Sequence, residues 1–389
     1  MRRGVLTSAL LVLGCAPKHV PSVDPAPDVC RLFADAPQRL DTVTVALPED
    51  GAPKNTLETP IRLDCGGSVL PGLATSWSQD ASGRTWTITL RENARGFDGL
   101  PLTAARIASA WSERGLVGAE GLLDSIVVLD DRRLALTLSE VSDSVPSILA
   151  DPAFSLPVAA EQHPAGVTFE QLTGEDPRDA LDRGTDILVT RNPAVVEYVA
   201  GQPEFVSFPL PWTRTYVLLQ RESRTDSLAR TLSDPQVQRS LADAARGDAR
   251  PAEPPFWWSE LSRCSRHTAA ESQHRSSRVV YAEDDDVARR LAERVVALTP
   301  PGTDVRTAAL KPAELGAALR SGSEKAYVLA APRRSLAPCR DSSGWPSAAS
   351  ILPLVDTRAS LIVRRGSPPL TVEWDGTIRI EGTRGPDAP

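Results

Sequence analysis

Hydrophobic and polar positions alternate in short blocks along this chain and then shift to helical spacing, most plainly between Leu70 and Trp111. Arg84 to Leu90 sets Trp86, Ile88 and Leu90 on one face and Thr85, Thr87 and Thr89 on the other. That period of two predicts a half-buried strand. A preceding strand closes at Trp77, and Asp80, Ser82 and Gly83 supply the turn between the two. Asp98-Gly99 and Pro101 mark a loop. Thr103 fits a helix N-cap, with Ala104, Ile107, Ala108 and Trp111 sharing one face at i, i+3, i+4, i+7. Ser125 to Leu129 and Arg133 to Leu138 predict a hairpin across Asp130-Asp131. At a hairpin tip that acidic pair reads as turn residues, not as a catalytic dyad.

The later chain alternates between the two periods. Strands are predicted at Ile187 to Val189, Phe205 to Phe208 and Thr215 to Leu219. Helices are predicted over Pro193 to Ala200 and Asp234 to Ala245, the second opened by an Asp234-Pro235 cap. Strand, helix, strand, helix, strand then follow: Arg278 to Ala282, Asp284 to Leu298, Thr303 to Ala308, Pro312 to Leu319, Glu324 to Leu329. That order predicts an α/β lobe with parallel pairing. Asp284, Asp285 and Asp286 suit the N-terminus of the helix they open. Leu361 to Arg364, Thr371 to Trp374 and Thr377 to Ile380 close the chain as strands.

Composition narrows the class. The chain has 389 residues, 41% of them hydrophobic and 24% charged, which describes a soluble globular protein with room for two or three compact units. The formal net charge is −7, and no basic arm or basic-aromatic stripe appears, so nucleic acid is not an expected partner. Basic residues are almost all Arg, which reads as base composition of the genome. The N-terminus has the form of an export signal: Arg2 and Arg3, then an apolar run from Val5 to Leu13 too short to span a bilayer. Val12-Leu13-Gly14-Cys15 resembles a bacterial lipobox, which implies cleavage before Cys15 and a lipid on its sulfur, against an ordinary secretory signal with an incidental Cys. Pro17, Pro21, Pro25, Pro27 and Pro37 make residues 16–38 an extended tether.

The stretch from Leu70 to Trp111 resembles the family 5 extracellular solute-binding proteins, the peptide, nickel and oligosaccharide receptors of ABC importers. Leu73, Ala74, Ser76, Trp77, Gly83, Thr85, Trp86, Thr87, Leu90, Arg91, Phe97, Asp98, Gly99, Pro101, Leu102, Thr103, Ala104 and Ser109 fall in order into that family's N-terminal frame. Ala180 to Ile187 resembles its "A-L-x-x-G-x-x-D-I", Asp234 to Ala245 its second-lobe helix, and Ile351 to Asp356 its late "P-L" strand. The resemblance implies an α/β, two-lobed periplasmic binding protein-like fold of the type II, peptide-binding class, with a hinge between lobes. It divides the chain into a signal peptide (1–14), a tether (15–38), an N-terminal lobe (39–220, with a small subdomain over about 55–150), a second lobe (221–348) and a C-terminal return (349–389). Hinge crossings are expected near 219–225 and 348–356.

Two stretches depart from the family. Residues 152–185 lack its "GTGPY" hairpin and repeated strand, so a piece near the lobe junction reads as deleted. After Leu329 relatives continue "GW-x-x-D-(Y/F)-x-D-P", where an Asp can hold a ligand's amine. Here Ala331-Pro332-Arg333-Arg334 and then Cys339 stand in that place.

Five Cys occur, at 15, 30, 65, 264 and 339. With Cys15 lipidated, the remaining four suggest two disulfides in an exported protein. Cys30–Cys65 with Cys264–Cys339 is the preferred pairing, because each pair falls inside one lobe. A zinc site is the alternative, without CxxC spacing or nearby His to favour it.

Trp212 and Tyr216 stand where relatives bring aromatics near the cleft, Gln220 stands where the family's strand toward the second lobe ends in Asn, and Phe256, Trp257 and Trp258 form either a ligand platform, a partner contact or a buried cluster. These give Trp212, Tyr216, Gln220, Trp257 and Trp258 as the candidate ligand residues. No GxSxG, HExxH or phosphate-binding loop occurs and the four His are dispersed, so neither an enzyme, a metal site nor a cofactor is expected. The leading expectation is a lipid-anchored, envelope-located receptor of an ABC importer, closing on a small, peptide-like solute and delivering it to a permease. The alternative is a degenerate solute-binding fold that binds a protein partner without transport.

Overall fold

A computed structural model describes residues 30–32, 43–47, 57–96, 98–118, 122–138, 145–158, 167–172, 174–220, 226–263, 277–300, 302, 304–346 and 350–380. The signal segment, Cys15 and most of the tether lie outside the described residues, as do Phe97, Cys264 and the linker 221–225.

Three larger sheets organise the molecule. The smallest of these is four-stranded and antiparallel, in the order Ala74–Gln79, Thr85–Leu90, Arg133–Thr137, Ser125–Val128. Trp86, Ile88 and Leu90 point inward, as the alternation requires, together with Leu134 and Leu136. The helix Ala104–Glu113 covers that face with Ala104, Ile107 and Trp111, and Thr103 caps it through the Arg106 N–H. Trp111 is fully buried, meets the Phe154 ring edge-on at 5.0 Å and donates its indole N–H to the Phe154 carbonyl at 3.2 Å. A buried indole that finds its hydrogen-bond partner keeps the full benefit of its apolar area.

The second sheet has five strands: Val167–Gln171, Val43–Leu47, Ile187–Thr190, Ser360–Arg364, Phe205–Pro209. The first three run parallel, and the last two pair antiparallel. Its edge strand Val167–Gln171 lies within 152–185, where the sequence reading placed no strand. Val167 to Phe169 alternates apolar and polar residues, but Glu170 and Gln171 are both polar, so the alternation was too short to stand out.

The third sheet has six strands: Ala249–Pro251, Ser350–Thr357, Arg214–Gln220, Ala326–Pro332, Arg278–Ala282, Arg306–Leu310. Arg278–Ala282 pairs parallel with both neighbours, as the strand-helix order predicted. The strand expected at Thr303 to Ala308 is observed at Arg306–Leu310. Helices Pro235–Ala245 and Asp286–Ala297 pack on one face, around Tyr216, Leu218, Leu241 and Leu291. On the other face Val217, Leu219 and Tyr327 meet Leu315 of the helix Pro312–Ser321, together with Trp258 and Leu261. Pro353 is tolerated in the strand Ser350–Thr357 because the outer neighbour pairs only with Val355 to Thr357, and the inner register shifts beside it.

The chain passes between the five- and six-stranded sheets twice, over 210–213 and over 358–359. The two passages lie side by side: the Leu210 N–H donates to the Ala359 carbonyl at 2.9 Å. The crossings expected near 219–225 and 348–356 are therefore corrected. The first range begins at the far end of the strand Arg214–Gln220, and the second covers most of the strand Ser350–Thr357 and stops just short of the observed crossing, because the hydrophobic run Thr215 to Leu219 reads the same whichever sheet it joins.

Candidate functional site

The strand Arg214–Gln220 alternates across its sheet, and the alternation sorts the candidate residues. Thr215, Val217 and Leu219 face one side, Tyr216 and Leu218 the other. Tyr216 is 2% exposed, in the core beneath the helices, with its hydroxyl on the carboxylate of Asp285 at 3.0 and 3.1 Å. Burial, and then the Asp285 charge, push its pKa above the ordinary tyrosine value. Asp285 also caps the helix Asp286–Ala297 through the Ala288 N–H at 2.8 Å. Tyr216 is thus a core residue, which corrects its assignment to the cleft. Gln220 ends the same strand, paired with Ala326 and Ser350. Six residues separate it from Arg214, roughly 20 Å of extended chain, so it cannot share one small site with Trp212.

Trp212 does lie at the lobe crossing. Two guanidinium groups stand over its ring, Arg250 at 4.4 Å and Arg358 at 4.5 Å from the centroid. Arg358 also meets Asp248 at 3.3 Å. From Arg250 a connected set of groups runs inward to Asp356, which is 0% exposed. The Thr215 hydroxyl donates to Asp356 at 2.6 Å, the Glu253 N–H at 3.3 Å, and the guanidinium groups of Arg250 and Arg333 lie at 3.4 and 3.2 Å. A buried carboxylate needs such partners to offset its lost hydration. Arg333 is fixed in turn by the Pro255 carbonyl at 2.7 Å and the Glu253 carbonyl, and stands over the Phe256 ring.

The aromatic run begins there. Phe256 stacks on Trp258 at 4.8 Å, Trp257 meets Trp258 edge-on at 5.6 Å, and Trp257 reaches Trp345 at 5.3 Å. Trp258 is buried against Val217, Leu219 and Tyr327, so it is a packing residue and its cleft assignment is corrected. Trp257 is half-buried and donates its indole N–H to the Pro332 carbonyl at 2.8 Å. The structure therefore links Trp212 and Trp257 through Arg250, Asp356, Arg333 and Phe256, and separates both from Tyr216 and Gln220.

Sequence reasoning missed Arg250, Arg333, Asp356 and Trp345. One signal was present: Asp356 is a lone charge ending the apolar run Ile351 to Val355, and a lone charge there needs a partner. Cys30 and Cys65 form a disulfide that joins the strand Arg31–Leu32 to the turn after Asp64. Cys339 is disulfide-bonded as well. Among the described residues, no group of three or more His, Cys, Asp or Glu is placed to hold a metal ion, and no helix is long and apolar enough to cross a membrane.

The sequence model of the bacterial extracellular solute-binding proteins, family 5 (middle), matches residues 68–193. The periplasmic murein peptide-binding protein MppA of Escherichia coli is 35% identical over 85 residues, 22% of this chain and 16% of that protein. The nickel-binding periplasmic protein of Escherichia coli is 34% identical over 93 residues, 20% of this chain and 18% of that protein. The match thus spans less than a fifth of either relative. The fold extends further. The structure of NikA from Staphylococcus aureus in complex with Ni(L-His)2 superposes with a TM-score of 0.63 at 13% identity, covering 87% of this chain and 100% of that one. The dipeptide-binding protein from Pseudoalteromonas in complex with Met-Leu gives 0.62 at 12% identity, covering 86% and 98%. The α/β fold is that of the two-lobed, type II binding proteins, and residues 68–193, which include its four-stranded sheet, are similar to the bacterial extracellular solute-binding proteins of family 5.

Proposed function

We propose that the protein is a receptor of an ABC importer, held to the membrane by lipid on Cys15, that takes a small, peptide-like solute between its lobes and hands it to a permease. The observation that carries this reading is the paired crossing at 210–213 and 358–359, joined by the Leu210–Ala359 hydrogen bond, in a chain whose residues 68–193 match this family. Two short parallel passages form a hinge about which two rigid sheets can close on a ligand. The lobes then run from residue 43 to the first crossing with a return after 359, and from 214 to 357. Trp212, Trp257 and Trp345 supply aromatic surface near the crossing, and Arg333 supplies charge beside it. Fixed aromatic and charged groups of this kind orient a small solute in a concave site.

Thermal denaturation with di- and tripeptides and with Ni–histidine chelates tests the reading. A bound solute at 100 times its Kd stabilises by about 2.7 kcal/mol. Trp257→Ala and Trp345→Ala should weaken that stabilisation without lowering the midpoint of the free protein by a comparable amount. Anchoring is tested separately: Cys15→Ser should abolish labelling by a fatty-acid analogue and release the protein from the envelope.

A second reading, an envelope lipoprotein that binds a protein partner without transport, is favoured by the ion pair between Arg340 and Asp151, which joins the two lobes directly. If no solute shifts the midpoint and cross-linking in the native envelope captures one protein at 1:1, this reading replaces the first.

A further inference from the structure

The segment Arg333 to Trp345 leaves the six-stranded sheet after the strand Ala326–Pro332 and returns toward the strand Ser350–Thr357. Between these points it approaches the first lobe three times. The Arg334 guanidinium stands beside Gly67, where an added Cβ would lie 3.5 Å from its Nη1. Leu336 packs against the core cluster that holds Trp111, Phe154 and Leu156. Arg340 Nη2 donates to Asp151 Oδ1 at 2.6 Å.

Asp151 makes this contact more than a surface ion pair. It is 2% exposed, and the same oxygen accepts the Ala153 N–H at 2.8 Å, capping the turn that carries Phe154. A buried carboxylate needs its counter-charge, and here the counter-charge comes from the other lobe. The segment is also rigid. Ser335 donates to Asp341 at 2.7 Å, Ala337 and Ser342 are buried, Cys339 is disulfide-bonded, and Trp345 packs on Trp257 in the second lobe. The short helix Pro338–Asp341 presents Arg340 from this fixed frame.

We propose that residues 333–345 are a built-in clasp: Leu336 and Arg340 hold the lobes together without a solute, and solute entry waits on release of the Arg340–Asp151 pair. The clasp goes beyond solute capture and does not depend on which solute is bound. A ligand shifts a two-state equilibrium only by its differential affinity for the two states. Where the clasp already populates the closed state, solute adds no further closure. Its second-lobe side, Leu336 and Arg340, falls in the stretch after Leu329 where this chain departs from the family's sequence pattern.

Small-angle X-ray scattering on the full chain without added solute tests it. The protein should give the compact profile of the closed arrangement. Arg340→Ala and Leu336→Ser should each lose it, with an upward shift in radius of gyration and an unchanged circular dichroism spectrum. Should Arg340→Ala fail to fold, the smaller change Leu336→Ala gives the same reading. A solute-free protein as extended as the variants, or variants as compact as the parent, overturns the clasp. Neither result bears on whether a solute binds, which the thermal titrations read independently.

Discussion

The Thr215 hydroxyl donates to the Asp356 carboxylate at 2.6 Å, tying the strand that has just entered the second lobe to the one about to leave it. Asp356 has no exposure, and its other partners are the Glu253 N–H and the Arg333 and Arg250 guanidiniums, the last two 13% and 31% exposed. Removing one partner of a buried ion pair leaves the other charge uncompensated and costs about 3–5 kcal/mol. Asp356→Ala should therefore lower stability by that order in urea denaturation, and Thr215→Val by about 1–3 kcal/mol through one lost hydrogen bond to a charged group. A change below about 1 kcal/mol for Asp356→Ala would show that the network is not a structural anchor.

Trp111 fills the space between the helix Ala104–Glu113 and Phe154. Trp111→Ala leaves a cavity and strands the Phe154 carbonyl, so a loss of about 3–5 kcal/mol is expected. Trp111→Phe keeps the edge-on ring contact and should recover most of it. Equal losses for the two would place the stabilisation in the indole hydrogen bond instead.

Tyr216 gives the fold an alkaline limit. Its folded-state pKa is raised above 10.0 by burial and by Asp285, while the unfolded chain ionises at the ordinary value. Below pH 10 both states hold the proton, and its contribution to stability is fully present. As pH rises past 10 the unfolded state loses its proton first, so stability falls. Tyr216→Phe should flatten the loss of melting temperature between pH 9 and 11. An identical slope in the variant would contradict the buried neutral phenol.

The Cys30–Cys65 bridge closes a loop with a sequence separation of 35. Loop-closure entropy of that size corresponds to about 4 kcal/mol. Replacing both cysteines by Ala should lower stability by up to that amount, read as the shift in denaturant midpoint, with the Cys339 bridge intact.

Much of the first lobe was legible because its signals are local. Thr85 to Leu90 alternates strictly, and Thr103 precedes a clean helical stripe, so strand, cap and helix follow from neighbours in sequence. Asp234-Pro235 and the strand-helix run from Arg278 were readable for the same reason. The site was not. Tyr216 and Thr215 are adjacent in sequence and opposite in the fold, and nothing within the run Thr215 to Leu219 says which face meets helices. Asp356 pairs with Arg250 and Arg333 only because strands distant in sequence lie side by side. Asp151 and Arg340 are 189 residues apart, and their meeting is a fact of tertiary packing. The sequence departures after Ala331 marked the place of the clasp without revealing its contacts.

Native mass spectrometry of the protein purified from its own host tests the central claim most directly. The account predicts one small molecule bound at 1:1, lost on denaturation and depleted in Trp257→Ala. A chain that carries no adduct, and whose melting temperature is unmoved by peptides and nickel chelates, would contradict solute capture between the lobes.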